Sequence, residues 1–210
     1  MPNPCVEARP NSQLRCLSAF ASRRTLGGKS DKSMKLRKID WRQSSLRQIL
    51  FALSQGLDTN AQQFDERGDV DDALEYEDHL CGIAFVTAQA YITGVVADVN
   101  ALRGTRSPIS KHELLKSANP IVADTRLTRM QLCDTMANYY KHRDEWADWT
   151  DPAARRTTEL LRTAGFTQGN QHLCTTVATL LFGNVKVESL VPLVDMLSSW
   201  RVAVIASAIP

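Results

Sequence analysis

Apolar residues recur along this chain at intervals of three and four, the spacing that aligns them on one face of an α-helix. Near the end of the chain, Leu190, Leu193, Leu197 and Trp200 follow this spacing. Convincing alternation of apolar and polar residues, which would indicate β-strands, is lacking. The sequence therefore predicts an all-α fold, a single-domain bundle of six or seven helices over residues 34–210.

Local signals divide this pattern into segments. Ser110 is a typical helix start, and Gly56, Gly165 and Gly183 are typical helix ends. Nine Asp or Glu residues fall within residues 58–78, which predicts a solvated linker whose last acids favour the positive start of the next helix. Around the central helix described next, the predicted helices span about residues 41–55, 111–118, 125–146, 152–164, 171–182 and 188–205.

Residues 80–97 form the longest uninterrupted apolar run, LCGIAFVTAQAYITGVVA, without a single charged side chain. A helix of this run would be about 27 Å long. With a start at Asp69 or Asp71, the whole helix reaches to just before Gly104. Its length is at the lower limit for a membrane span, but the many Gly, Ala and Thr residues favour a buried central helix around which the other helices pack.

Charge is divided unevenly along the chain. The formal net charge is +2 overall, yet residues 1–33 hold six Lys or Arg against two acids, so the remainder carries a net charge of −2. This basic leader is predicted to be disordered. It resembles a mitochondrial transit peptide, although a physiological start at Met34 is the preferred interpretation. The body has no global attraction to a phosphate backbone.

The five cysteines are scattered and form no CxxC pair. An odd number without a disulfide framework predicts reduced thiols and a cytoplasmic protein, with Cys81 and Cys133 buried in helices. The four histidines are about thirty residues apart, and none has a partner at metal-ligand spacing. The sequence therefore predicts no metal and no cofactor.

One stretch, residues 137–149 (ANYYKHRDEWADW), concentrates aromatic and charged side chains. On a helix, Asn138, His142 and Glu145 share a polar stripe with the preceding Asp134. A neighbouring stripe holds the side chains of Tyr139, Arg143 and Trp146, where a guanidinium could lie on aromatic faces. Such a cluster either binds a phosphate or a base, or fastens the helix end to the bundle. The sequence favours the second interpretation.

The spacing of Asn138 and His142 within ANYYKH resembles the RNxxxH motif of the HEPN superfamily. That resemblance implies a small all-α bundle, a metal-independent ribonuclease activity in many members, and an Arg and a His that act together, commonly across a homodimer, on the scissile phosphate of RNA. The Arg of the motif is replaced by Ala137 here. Lys141 or Arg143 would have to supply the missing cation.

Three functional hypotheses follow. The leading one is a HEPN-like recognition or defence-associated module without demonstrated catalysis. The second is a metal-independent ribonuclease with Asn138 and His142 at its centre and His142 as general acid and base. The third is a structural dimerisation module. The candidate binding residues are Tyr139, Lys141, Arg143, Glu145 and Trp146. Expected partners are a second copy of the chain and RNA, and no membrane.

These hypotheses differ in what the polar stripe should face. The ribonuclease requires the stripe from Asn138 to Glu145 to face a groove lined with Lys or Arg from other helices. A purely structural module leaves the stripe facing plain solvent.

Overall fold

The structure, a computed structural model, describes residues 39–67, 70–104, 108–118, 120–123, 125–183, 187 and 189–208, with side chains omitted at 64–67. The predicted basic leader, residues 1–33, lies outside this range. Within it are seven α-helices and no β-strand, which confirms the predicted all-α fold. The helices are α1 (Gln43–Arg67), α2 (Val70–Arg103), α3 (Lys111–Lys116), α4 (Arg129–His142), α5 (Arg155–Thr163), α6 (Leu173–Phe182) and α7 (Pro192–Ser207).

Helix α2 is the centre of the bundle, as its apolar sequence predicts. It packs against α1, α4, α6 and α7, and its buried face includes Ala88, Ile92 and Val95, each with no exposed surface. By length and composition alone, α2 could also cross a membrane, since its most apolar 18 residues have a mean hydropathy of 1.7. Half of that stretch is buried inside the fold.

The predicted acidic linker is wrong. Helix α1 continues through Gly56 to Arg67, and α2 begins at Val70, so most of residues 58–78 are helical. Packing explains the extension: Leu57 is buried, and Asn60 Nδ2 donates to the carbonyl oxygen of Ala73 on α2 at 2.8 Å. Because the two helices stay in contact past Gly56, that glycine does not end α1, and the acids lie along helices.

Helix α4 is shorter than the predicted helix over residues 125–146. It starts after Thr128, whose side chain forms a reciprocal capping box with Gln131. It ends at His142, and the chain continues as a 3-10 helix, Arg143–Glu145, before Trp146 becomes extended. The aromatic and charged motif therefore straddles a helix end.

Two short helices flank α4. Helix α3 begins at Ser110 with a complete capping box to Glu113, as predicted. Helix α5 begins at Arg155, later than predicted, because Asp151 Oδ1 accepts a hydrogen bond from the Ala153 amide and caps a turn instead. The predicted ends at Gly165 and Gly183 are confirmed, both with positive φ, which glycine adopts without strain.

Candidate functional site

Asn138, half-buried on α4, lines an open groove between α3, α4 and α5 with a volume of about 390 Å³. Helix α3 contributes Lys111 and His112 to this groove, and α5 contributes Arg156. Asp134, one turn before Asn138, also lines the groove. The remaining lining residues are Ser110, Leu115, Gln131, Thr135, Thr157 and Leu160.

Gln89 of α2 organises the polar side chains beside the groove. Its Oε1 accepts a hydrogen bond from Lys141 Nζ at 2.7 Å. Its Nε2 donates to Asp134 Oδ1 at 2.7 Å and to Asn138 Oδ1 at 3.0 Å. Lysine can only donate, so the Gln89 oxygen must face Lys141 and its nitrogen must face Asn138. That arrangement makes Asn138 present its oxygen to Gln89, and its Nδ2 donates to no acceptor in the described part of the chain.

The charges of the groove are partly compensated. Lys111 Nζ lies 2.5 Å from Asp134 Oδ1. Arg156 is exposed, and no carboxylate in the described part of the chain pairs with it. The ammonium of Lys141 meets the neutral amide of Gln89. Together these groups are three cations against one carboxylate, so the surroundings of Asn138 are electropositive.

His142 lies one turn beyond Asn138, outside the groove lining. Its Nδ1 is 3.0 Å from Glu145 Oε2, which confirms that these two side chains share a face. The imidazole also stacks on Trp146, with ring centroids 6.4 Å apart. A carboxylate on Nδ1 orients the ring and leaves Nε2 to exchange a proton. The His142 side chain is 45% exposed, so solvent or a ligand can reach it.

Arg143 forms an ion pair with the buried side chain of Asp78. Its Nη1 lies 2.9 Å from Asp78 Oδ2, and Asp78 Oδ1 accepts hydrogen bonds from the amides of Cys174 and Thr175 at the start of α6. Burial on its own would lower the pKa of Arg143, but the hydrogen bond and charge of Asp78 raise it on balance. The predicted stacking of this guanidinium on Tyr139 or Trp146 is wrong, because it lies over the ring of Tyr140 at 5.2 Å.

The aromatic side chains of the motif pack the end of α4 against the segment that follows it. Tyr139 packs against Trp146 and Trp149, with ring centroids 6.2 and 6.3 Å away. Trp149 is buried, and burial raises the pKa of Tyr139. This side of the helix matches the structural interpretation of the motif, whereas the side with Asn138 faces the groove.

Sequence reasoning missed Gln89, Lys111, His112 and Arg156. They lie on three other helices and form no motif with Asn138 along the chain. Amphipathic spacing alone carries no information on which polar faces meet, so no signal in a single sequence identifies them.

The described residues hold no group of three His, Cys, Asp or Glu side chains arranged to bind a metal ion. Their buried thiols are those of Cys81, Cys133 and Cys174. Burial raises the pKa of Cys81 from 9.0 to about 12, which makes this thiol a poor nucleophile at neutral pH.

The chain was compared with family models, with curated proteins and with solved structures, and none of the three gave a match. The resemblance to the HEPN superfamily therefore depends on Asn138, His142 and the all-α fold alone.

Proposed function

We propose that this chain is a HEPN-like recognition or defence-associated module that binds single-stranded RNA in the groove between α3, α4 and α5. One observation carries the proposal: Asn138, the Asn of the RNxxxH-like motif, lines a groove that also holds Lys111, His112 and Arg156 from two other helices. Of the stripe from Asn138 to Glu145, Asn138 lines the groove and His142 lies one turn outside it, so the cations around Asn138 support the proposal.

The chemistry of the groove suits a phosphate. Asn138 Nδ2 and the guanidinium of Arg156 are donors in its lining, and the ammonium of Lys141 is a third donor beside it. Neither cation pairs with a carboxylate among the described residues. Charge-assisted hydrogen bonds of this kind are the usual contacts of proteins with phosphate oxygens. The volume of about 390 Å³ is in the range of small-ligand pockets and suits one nucleotide unit of a flexible strand.

Binding is tested with a fluorescein-labelled oligouridine and fluorescence anisotropy. The double variant Lys111→Ala/Arg156→Ala removes two groove cations. We expect roughly a tenfold or greater loss of affinity, and a fall of about 1.4 in the slope of log affinity against log salt, because each phosphate contact to a single strand contributes about 0.7.

The matched control is Lys116→Ala/Arg155→Ala, which removes the same charge from the same two helices outside the groove. Arg155 is an exposed residue paired with Glu159. If both double variants weaken binding equally, or if the unmodified chain does not bind RNA, the groove proposal is rejected.

A second candidate function, metal-independent RNA cleavage, is favoured by the geometry of His142. Glu145 orients its imidazole at 3.0 Å, as a base-orienting carboxylate does in acid–base catalysis. In this scheme His142 Nε2 takes the proton of a ribose 2′-hydroxyl, which attacks the adjacent phosphorus and displaces the 5′-oxygen. The protonated imidazole, or water, then supplies the proton of the leaving oxygen. Lys141 is the candidate for the cation that the motif lacks at Ala137.

Cleavage is tested with the same RNA by denaturing gel electrophoresis. His142→Ala should abolish product formation, and Glu145→Ala should reduce it. His172→Asn serves as the control, because His172 has a φ of 48°, which Asn tolerates. Equal activity of the original chain and His142→Ala would eliminate catalysis by this residue and leave the binding proposal intact.

A further inference from the structure

A second groove, here called the α6–α7 groove, lies between the start of α4, the end of α6 and one face of α7, and has a volume of about 450 Å³. It shares no lining residue with the groove between α3, α4 and α5, so the two are separate sites. Helix α7 lines it with residues three and four positions apart, which share one helix face. They are Pro192, Asp195, Met196, Ser199 and Trp200.

Much of the α6–α7 groove is apolar. Of its lining residues, Leu181 and Trp200 are buried, whereas Phe182 and Met196 are half-buried. Trp200 Nε1 donates to no acceptor in the described part of the chain, although a buried indole N–H normally has a partner. A ligand with an apolar substituent gains free energy by covering Phe182 and Met196, because that contact removes their exposed surface from water.

The same groove carries two opposite charges. Arg129 is the first residue of α4, and Asp195 lies in the first turn of α7. Both residues are exposed, and no ion pair joins Arg129 to Asp195 or to another carboxylate among the described residues.

Asp195 has capacity for a further partner. Its Oδ1 lies 3.3 Å from Arg47 Nη2, in an exposed pair of the kind that contributes little to stability. A carboxylate has about four acceptor positions, so this contact does not exhaust it. The groove therefore presents both a cation and an anion to a ligand.

We propose that the α6–α7 groove binds a free α-amino acid with an apolar side chain. The guanidinium of Arg129 binds the carboxylate of the ligand, since its forked donors match that group. Asp195 binds the ammonium group, and Phe182 and Met196 cover the side chain. The volume of about 450 Å³ is in the range of small-ligand sites.

The charge pattern favours this class over other small ligands. A fatty acid supplies a carboxylate for Arg129 but no partner for Asp195, whereas an apolar amine leaves Arg129 without one. The backbone of an internal peptide segment carries neither charge. A zwitterion with an apolar substituent uses both charges and the apolar lining together.

Isothermal titration calorimetry of the full chain tests the ligand class. We expect L-leucine and L-phenylalanine to bind with dissociation constants of about 10 μM to 1 mM, as suits two charge-assisted contacts and a small apolar one. N-acetyl-L-phenylalanine lacks the ammonium group and L-phenylalanine amide lacks the carboxylate. Each should bind about tenfold or more weakly, because it loses one charged hydrogen bond.

Three results of this titration would overturn the proposal. They are the absence of binding by both amino acids, equal binding of the blocked derivatives, and tighter binding of octanoate than of L-leucine. The last result would assign the groove to apolar carboxylates instead.

Two variants that each remove one charge locate the site. Arg129→Gln and Asp195→Asn should each weaken L-phenylalanine binding about tenfold or more. The matched controls are Arg156→Gln, in the groove between α3, α4 and α5, and Asp58→Asn, an exposed position of α1. Both controls lie outside the α6–α7 groove and should leave binding unchanged.

Equal effects of the variants and their controls would place the amino acid elsewhere and refute the proposal. Circular dichroism checks that each variant is folded, and the titrations of the parent chain do not depend on any variant. RNA takes no part in either experiment, so the result is independent of the proposed function.

Discussion

Two polar clusters join α2 to α4, and they differ in how completely their groups are used. In the closed cluster, Asp78 is 2% exposed, and both of its oxygens are occupied by Arg143 and by the first amides of α6. In the open cluster around Gln89, Asn138 keeps a free amide donor and Lys141 is exposed. On α2, Asp78 and Gln89 are about three turns apart, and their partners lie within α4 and directly after its end.

This difference separates a structural role from a binding role. A buried polar group must have its hydrogen bonds satisfied within the fold, since water cannot supply them. The Asp78 cluster meets that requirement and therefore has no capacity left for a ligand. The Gln89 cluster is open to solvent and retains unused donors, which is the condition for binding an anion.

The largest expected effect comes from breaking the closed cluster. Asp78→Ala leaves the partly buried Arg143 with only the exposed Asp144, 3.7 Å away, as an ionic partner, and it removes the cap of α6. We expect the free energy of unfolding to fall by about 3–5 kcal/mol, the usual cost of breaking a buried ion pair. Urea unfolding followed by circular dichroism measures it.

The exposed pair of Arg47 and Asp195, 3.3 Å apart, is the matched control for that variant. Asp195→Ala should cost well under about 1 kcal/mol because solvent screens the pair. Similar losses in the two variants would contradict the contrast between buried and exposed pairs.

The next largest effect is a fall in the free energy of unfolding at high pH, caused by thiols near the closed cluster. Burial raises the pKa of Cys81 from 9.0 to about 12, and burial together with the charge of Asp78 raises that of Cys174. Since the folded-state pKa lies above the unfolded value, this stability is complete below pH 9 and is lost as the pH rises towards 12. We expect a loss of about 1.4 kcal/mol per thiol for each pH unit above 9.

Urea unfolding at a series of pH values from 8 to 10.5 measures this decline. In Cys81→Ala the decline should be shallower than in the parent chain. A flat profile in the parent chain would show that the thiols do not ionise on unfolding.

Gly82→Ala is a smaller perturbation next to the closed cluster, where Arg143 lies over the ring of Tyr140. A Cβ at Gly82 would lie 2.0 Å from Tyr140 Cδ2, and Tyr140 is held by His79 and Arg143. Overpacking costs about 1–3 kcal/mol, of which alanine recovers about 1 through helix propensity. Thermal unfolding should show a net loss of up to about 2 kcal/mol.

Gly56→Ala is the control for that substitution. The nearest atom to its Cβ is the flexible Leu80 Cδ1 at 3.1 Å, so this variant should be neutral or more stable than the parent chain. A stable Gly82→Ala would mean that the Tyr140 ring can move freely.

The smallest effect on stability is expected in the open cluster around Gln89. Gln89→Ala removes the hydrogen bonds to Asn138 and Lys141, but water replaces them, so the free energy of unfolding should fall by about 1 kcal/mol or less. RNA affinity measured by anisotropy should fall several-fold, because the two side chains lose their fixed positions. A large loss of stability with unchanged affinity would reverse the roles of the two clusters.

Particular elements show what could be predicted from the sequence. Ser110 caps α3 and Gly183 ends α6 as their positions in the pattern indicate. The apolar run of residues 80–97 lies in the central helix. The predicted end of the first helix at Gly56 is wrong. Glycine frequently ends a helix, but Gly56 packs against Leu80 of α2, and both helices continue past this contact.

The candidate site was predictable in part. Asn138, His142 and Glu145 share a face because helical spacing fixes that relation within a few residues. Arg143, in contrast, belongs to the core, because its partner Asp78 lies 65 residues away along the chain. The groove cations Lys111 and Arg156 come from separate helices and were not identified.

Sequence alone thus determined the all-α fold, the caps at Ser110, Gly165 and Gly183, and the central apolar helix. These depend on contacts among residues three or four positions apart and on the free energy of burying apolar side chains. Tertiary structure alone decided which polar residues became core and which became surface. That outcome depends on how distant helices pack together, and their packing gives Asp78 a full set of partners but leaves Asn138 open to a ligand.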